Sequence, residues 1–156
     1  MKPLQTLACG LRLFLFANFL TLPLLAADTN LKDDLANLQG KWKATVTTDD
    51  GNSIWTLVVK GNKSNLVIES KDGDPVFKGE LDFKLEKHGS FKAYTYWNLK
   101  ILSGDKEGET QLTDGKTKSS LYKLDADTFT TISGFREEDE DKPILIKWEK
   151  VPDVKK

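Results

Sequence analysis

Catalytic chemistry in this sequence would have to begin at His88, the only histidine among its 156 residues. The single cysteine, Cys9, lies near the N-terminus, and no Gly-x-Ser-x-Gly element is present to hold an activated serine. Zinc sites are built from histidine and cysteine, so one histidine would leave a metal ion with carboxylates alone. His88 precedes Gly89, and we interpret it as a turn residue that faces water. The residue types therefore predict a protein that is not an enzyme.

Acidic side chains form the longest run of like charge, Glu137–Asp141. Calcium is bound by oxygen ligands, but a calcium loop places a glycine among them and this run has none. We interpret the run as a solvated loop and predict neither a metal site nor a cofactor. Sugar hydrolysis would need two acids inside the fold, and acids such as Asp82 alternate onto an outward face.

Non-covalent binding is the remaining chemistry, because large apolar side chains recur at alternate positions in several segments. Alternation would place them on the inner face of a β-barrel, and an eight-stranded barrel either fills with side chains or holds one small ligand. A charged ligand would lose its hydration there without compensation, so the predicted ligand is apolar or amphipathic. The predicted binding residues are Trp55, Leu57, Phe83, Trp97, Leu99 and Trp148.

A second function fits the same residues, namely a structural or protein-interaction domain with a filled core and no small ligand. In residues 91–102, alternation predicts that Trp97 and Leu99 face inward, together with Phe91, Ala93, Thr95 and Ile101. Tyr94 and Tyr96 would then face outward and contact a protein partner that the sequence does not identify. The interior volume separates the two functions, because ligand pockets usually measure about 300 to 1,000 Å³.

Strands joined by short turns would position these residues. Apolar and charged residues alternate most clearly over residues 77–86, as is typical of an antiparallel sheet with one wet face. Turn signals such as Asp114-Gly115 separate the segments. The predicted strands cover residues 41–48, 55–59, 66–68, 77–86, 91–102, 109–113, 118–124, 128–133 and 144–151.

The segment Leu38-Gln39-Gly40-Lys41-Trp42 marks the start of the strands. Leucines at helical spacing, beginning at Leu31, precede it and predict a short helix. Gly40 would permit a close backbone approach, and Trp42 would plug one end of a barrel. The predicted fold class is all-β, an antiparallel up-and-down barrel of about eight strands with a short N-terminal helix.

The N-terminus has the residue order of a secretory signal peptide. Lys2 and Arg12 are followed by the apolar run 13–25 and then by small residues. This run of 13 residues is shorter than the ~20 that a membrane-spanning helix needs. We expect cleavage after Ala27, with Ala26 as the alternative, and the intact mass of the exported protein would show the cut.

Removal of the signal peptide, 1–27, would leave one barrel domain, 28–156, in a secreted or periplasmic protein. This mature chain would contain no cysteine, so its core would have to supply the stability. The full chain carries 23 basic and 24 acidic residues. That near-balance argues against nucleic acid or an anionic membrane surface as a partner, and we expect no membrane span in the mature protein.

Three features together resemble a known family: Leu-x-Gly-x-Trp at 38–42, the hairpin 121–129, and Lys142-Pro143. They are similar to bacterial secreted lipocalin-like domains of the planctomycete type, which are calycin-like β-barrels. The likeness covers residues 33–151 and implies a lipocalin-like barrel with ligand binding inside it. In the broader lipocalin pattern an arginine from the end of the barrel packs across this tryptophan. Here the only arginine after residue 27, Arg136, precedes the last strand instead.

Overall fold

The computed structural model describes residues 24–48, 51–134 and 142–152. Residues 1–23, residues 49–50, Arg136 and the acidic run Glu137–Asp141 lie outside the described residues. The described helix, α1, is not long and apolar enough to cross a membrane. In chain order the elements are α1 (Leu24–Leu38), β1 (Gly40–Thr48), β2 (Gly51–Lys60), β3 (Lys63–Ser70), β4 (Pro75–His88), β5 (Phe91–Ile101), β6 (Thr110–Gln111), β7 (Lys118–Leu124), β8 (Thr128–Ser133) and β9 (Ile144–Val151).

Eight of these strands form a closed antiparallel barrel. Strands β1 to β5 each pair with the next along the chain, and β5 then pairs with β7 through residues 93–96. Strands β8 and β9 follow, and β9 closes the barrel by pairing with β1 through residues 41–43. The short β6 pairs with β5 at Leu99 and Lys100. The predicted all-β, up-and-down barrel with a short N-terminal helix is confirmed.

The strand directions give the barrel two different ends. Helix α1 and the short turns at 61–62, 89–90 and 125–127 lie at one end, which we call the closed end. The last residues of β1, β3, β5 and β8 and the first residues of β2, β4, β7 and β9 lie at the other, which we call the open end. A ligand that enters the barrel along its axis would therefore enter from the open end.

Trp42 fills the closed end of the barrel. Its side chain is fully buried, and its indole Nε1 donates a hydrogen bond to the carbonyl oxygen of Leu38 at 2.7 Å. Its ring packs against Phe129 with 5.9 Å between ring centroids. Gly40, between α1 and Trp42, has a φ of 110°, which residues with a side chain rarely adopt. The glycine thus allows the sharp turn that brings Trp42 under the helix.

Lys150, in β9, contacts Trp42 and the end of α1 together. Its Nζ lies 5.1 Å from the centroid of the Trp42 ring and donates a hydrogen bond to the carbonyl oxygen of Asn37 at 2.8 Å. That carbonyl belongs to the last turn of α1, where a positive charge is favoured by the helix dipole. Lys150 therefore joins β9 to both the Trp42 indole and the end of α1, a role that the sequence did not predict for it.

A polar cluster anchors α1 to the barrel wall. The Asp34 Oδ2 atom, on α1, accepts hydrogen bonds from Lys92 Nζ and from the Tyr122 hydroxyl, each at 2.7 Å. Lys92 belongs to β5 and Tyr122 to β7, so the carboxylate joins the helix to two strands. Burial raises the pKa of Tyr122 above its usual value, and the hydrogen bond to the Asp34 carboxylate raises it further.

Candidate functional site

The barrel contains a cavity of about 150 Å³. Its wall consists mostly of aromatic and aliphatic side chains from the inner faces of the strands. Hydroxyl side chains from β7 and β8 complete it. The lining residues are Trp55, Leu57, Leu66, Phe77, Leu81, Tyr94, Tyr96, Leu99, Ser120, Phe129, Thr131, Ser133, Ile146 and Trp148.

The cavity extends from the middle of the barrel toward the open end. Phe77 and Ser133 lie near the open-end termini of β4 and β8, whereas Trp55 lies in the middle of β2. All three side chains are only partly buried. Deeper in the wall, Leu57 and Phe129 are buried. Phe129 also packs on Trp42, which blocks the closed end. The geometry therefore gives the cavity a mouth at the open end and a floor at the closed end.

The structure brings four of the six predicted binding residues together in this wall. Trp55 and Trp148 meet edge to face with 6.3 Å between ring centroids. Phe83 is fully buried and stacks on Tyr94 with 4.6 Å between centroids, but it is not part of the cavity wall. Contact of any of these residues with a ligand stays a prediction. The four that line the cavity are Trp55, Leu57, Leu99 and Trp148.

Trp97 lies on the outer face of the barrel, so the prediction that it faces inward is wrong. It pairs with Asp82, which faces outward because the adjacent Leu81 lines the cavity. Asn98 has a left-handed φ of 51°, and the pairing between β4 and β5 shifts by one residue at this point. Such a bulge displaces the alternation, so Leu99 faces inward although Trp97 does not.

The bulge also explains why the predicted faces of the first half of β5 are reversed. Tyr94 and Tyr96, expected outside, line the cavity. Phe91, Ala93 and Thr95, expected inside, occupy the opposite face of the strand and pair with the outward residues of β4. A strict alternation over residues 91–102 has no place for the extra residue of the bulge, so it cannot be correct on both sides of it.

Three hydroxyl side chains in the wall are absent from the predicted site. The Oγ atoms of Ser120 and Ser133 lie 2.6 Å apart. The Trp148 Nε1 group donates a hydrogen bond to Thr131 Oγ1 at 3.1 Å. Their alternate positions on β7 and β8 are the only sequence signal for them. That signal is weak, because serine and threonine occur on both faces of strands.

The cavity wall carries no charged side chain within the described residues. Its deepest titratable group is Tyr94, whose hydroxyl lies 2.7 Å from Ser64 Oγ. Burial raises the pKa of Tyr94 above its usual value, although the hydrogen bond with Ser64 acts in the opposite direction. Tyr94 therefore stays neutral at neutral pH and adds no charge to the site.

The two tyrosines with raised pKa values predict a loss of stability in alkali. Tyr94 and Tyr122 hold their protons more tightly in the folded protein, whereas an unfolded tyrosine ionises at about pH 10. Above that pH the unfolded chain releases protons that the folded chain retains. Their contribution to stability is therefore complete below about pH 10 and declines as the pH rises further.

Tyrosinate absorbance and circular dichroism, recorded together during an alkaline titration, check this expectation. Of the three tyrosines, Tyr94 and Tyr122 should ionise as the protein unfolds. Ionisation of all three at about pH 10 in a protein that stays folded would contradict it.

Other chemistry has little support in the described geometry. Within residues 24–48, 51–134 and 142–152, no group of three or more histidine, cysteine, aspartate or glutamate residues could hold a metal ion. His88 is exposed at the end of β4, which is at the closed end of the barrel and away from the cavity mouth. The cavity is therefore the candidate functional site.

Comparison of this chain with known protein families, curated proteins and solved structures finds no match. The lipocalin-like and planctomycete-type relationship thus rests on the sequence features alone. The closed barrel of eight antiparallel strands is consistent with a calycin-like fold and compatible with ligand binding.

Proposed function

We propose that this protein is an exported, lipocalin-like barrel that binds one small apolar or amphipathic molecule in its cavity and catalyses no reaction. The observation that carries the proposal is the apolar lining of the cavity, whose volume of about 150 Å³ lies below the usual range of about 300 to 1,000 Å³ for ligand pockets. Protein interiors normally pack to the density of organic crystals, so a space of this size within a barrel is a feature to be explained. Export is supported by the signal-like residue order at the N-terminus.

The cavity volume limits the size of the ligand. Most ligand pockets measure about 300 to 1,000 Å³, whereas an apolar cavity of about 150 Å³ accepts a molecule of the size of benzene. We infer that the enclosed part of the ligand is a single carbon ring or a short branched chain. Its burial would contribute about 25 cal/mol for each Å² of apolar surface. A longer ligand would extend through the open end.

A protein-interaction domain without a ligand is the competing function. It relied on Tyr94 and Tyr96 as outer contact residues, and both line the cavity instead. Among the residues that the structure describes, the most exposed large apolar side chains are Val76, Phe91 and Leu145. Phe91 lies at the closed end, and the other two lie on β4 and β9, which are opposite each other in the strand order. These residues do not form the contiguous apolar patch that marks a protein interface.

Tryptophan emission of the exported protein, titrated with cyclohexanol, tests the proposal. The emission should shift on binding, because Trp55 and Trp148 line the cavity. Trp55→Phe should reduce this response, and Trp148 should supply what remains. Trp97→Phe is the matched control, because Trp97 lies on the outer face and its replacement should leave the response intact.

A second test of the proposal fills the cavity by substitution and measures cyclohexanol binding by calorimetric titration. Leu66→Trp places an indole in the cavity wall and should weaken cyclohexanol binding strongly, because the indole occupies space that the ligand would fill. Val67→Trp makes the same change at the next residue, on the outer face, and should leave binding unchanged. A flat titration of the wild-type protein, or equal affinity in the two variants, would favour the interaction domain.

A further inference from the structure

We propose that the ligand is uncharged and carries one hydroxyl or carbonyl group, which bonds to a polar strip inside the cavity. We call this strip the hydroxyl wall and define it as Ser120, Thr131 and Ser133. The inference rests on the proposed function and narrows it to a class of molecule. That class is a small alcohol or ketone, as opposed to a pure hydrocarbon or a carboxylate.

The hydroxyl wall faces an apolar wall across the cavity. In the cyclic order of the eight barrel strands, β7 is opposite β2 and β8 is opposite β3. Strands β2 and β3 contribute Trp55, Leu57 and Leu66 to the lining. A molecule that fills the space between these walls therefore meets apolar surface on one side and hydroxyl groups on the other.

The hydroxyl wall has hydrogen-bonding capacity to spare. Each hydroxyl group has one hydrogen to donate and two lone pairs to accept. The 2.6 Å contact between Ser120 and Ser133 uses only one of their two hydrogens. Thr131 accepts from Trp148 and keeps its own hydrogen. Among the hydrogen bonds of the described residues, no acceptor is assigned to the remaining hydrogens.

Burial makes this spare capacity significant. Ser120 is only 6% exposed, so its hydroxyl cannot rely on bulk water for a partner. The Ser120 Oγ atom already has Ser133 as a partner, and a ligand that accepts the remaining hydrogen would add a hydrogen bond in a place with little access to bulk water. A hydrocarbon of the same shape would add none. The wall should therefore discriminate between an alcohol and its isosteric hydrocarbon.

Charge selects against a carboxylate ligand. The cavity wall offers no cationic side chain within the described residues, and a buried carboxylate without a cation loses its hydration without compensation. Lys118 lies two residues from Ser120 toward the open end, but it is exposed and does not line the cavity. A ligand small enough to be enclosed would present its polar group to the hydroxyl wall instead.

Three probes that share one carbon ring test the proposal by calorimetric titration: methylcyclohexane, cyclohexanol and cyclohexanecarboxylate. The first two have nearly the same shape and differ in a methyl group against a hydroxyl group. Cyclohexanol should bind, and its carboxylate analogue should bind more weakly at neutral pH. Ser120→Ala/Ser133→Ala should weaken cyclohexanol binding about three- to tenfold, the usual effect of losing a neutral hydrogen bond, and should leave methylcyclohexane binding no weaker.

The outer face of the same sheet supplies a matched control. Thr95 and Ser119 form a hydroxyl pair at 2.9 Å on β5 and β7, on the opposite face from Ser120. Thr95→Val/Ser119→Ala removes two hydroxyl groups without touching the cavity and should leave all three affinities unchanged. If the inner double variant does not fold, Ser133→Ala alone, at a partly buried position, should still weaken cyclohexanol binding selectively.

The outcomes separate this inference from the function on which it rests. Equal cyclohexanol affinity in the wild type and the inner variant, with methylcyclohexane still bound, would overturn the hydroxyl wall and leave the binding function standing. Tighter binding of the carboxylate than of cyclohexanol would also overturn it. Failure of all three probes to bind the wild-type protein would overturn both proposals.

Discussion

Replacing Trp42 by alanine should lower the free energy of unfolding by about 3 to 5 kcal/mol, the usual range for truncating a fully buried large aromatic side chain. The change removes three contacts at the closed end at once. These are the packing on Phe129, the hydrogen bond to the Leu38 carbonyl, and the cation–π contact with Lys150. The cavity floor and the junction with α1 would both be weakened.

Urea unfolding followed by circular dichroism measures the effect of Trp42→Ala. Trp97→Ala is the natural control, because it removes a tryptophan from the outer face and should cost much less. Equal losses in the two variants would show that Trp42 has no special role. A loss in Trp42→Ala below about 0.5 kcal/mol, the range of ordinary surface substitutions, would contradict its assignment as the plug of the barrel.

Replacing Asp34 by alanine should lower the free energy of unfolding by about 3 kcal/mol, because removal of one partner from a buried ion pair leaves the other charge uncompensated. Here Lys92 loses its carboxylate and the Tyr122 hydroxyl loses its acceptor. We expect the lower end of the known range, since the Lys92 side chain is 29% exposed and water can partly solvate it. The anchor of α1 would be lost with the carboxylate.

Denaturant unfolding of Asp34→Ala, with Asp33→Ala as the control, tests this prediction. Asp33 is the preceding residue on α1 and is exposed, so its replacement removes a charge without removing the anchor. The double variant Asp34→Ala/Tyr122→Phe should lose less than the sum of the single losses, because the two residues share one hydrogen bond. Additive losses, or equal stability of the two alanine variants, would show that the cluster does not hold the helix.

The strands of the second half of the chain could be predicted from the sequence. Strands β7, β8 and β9 have the predicted bounds, and the predicted inward residues of β9, including Trp148, are buried or partly buried. Such strands can be predicted because turn residues mark their ends and apolar residues alternate without interruption between them. Strands β2, β3 and β4 extend beyond their predicted bounds, because polar residues near strand ends carry no apolar signal.

The inner face of β5 could not be predicted, because its alternation is broken at Asn98. A bulge adds one residue to a strand. In β5 large apolar residues occupy both sets of alternate positions, so the apolar pattern does not reveal the extra residue. The size of the cavity could not be predicted from the sequence either, because it depends on how the side chains of all eight strands pack across the barrel. Lys150 and the hydroxyl wall depend in the same way on contacts between strands that are distant in the chain.

Methyl NMR spectra of the protein, recorded during a titration with cyclohexanol, test the central claim most directly. The claim is that the barrel interior binds a small molecule. The methyl signals of Leu57, Leu66 and Leu99 should shift together and show contacts to cyclohexanol protons, because these side chains line the cavity. Those of the exposed Leu145 should stay in place. Unchanged signals from the three lining leucines up to the solubility limit of cyclohexanol would contradict the claim.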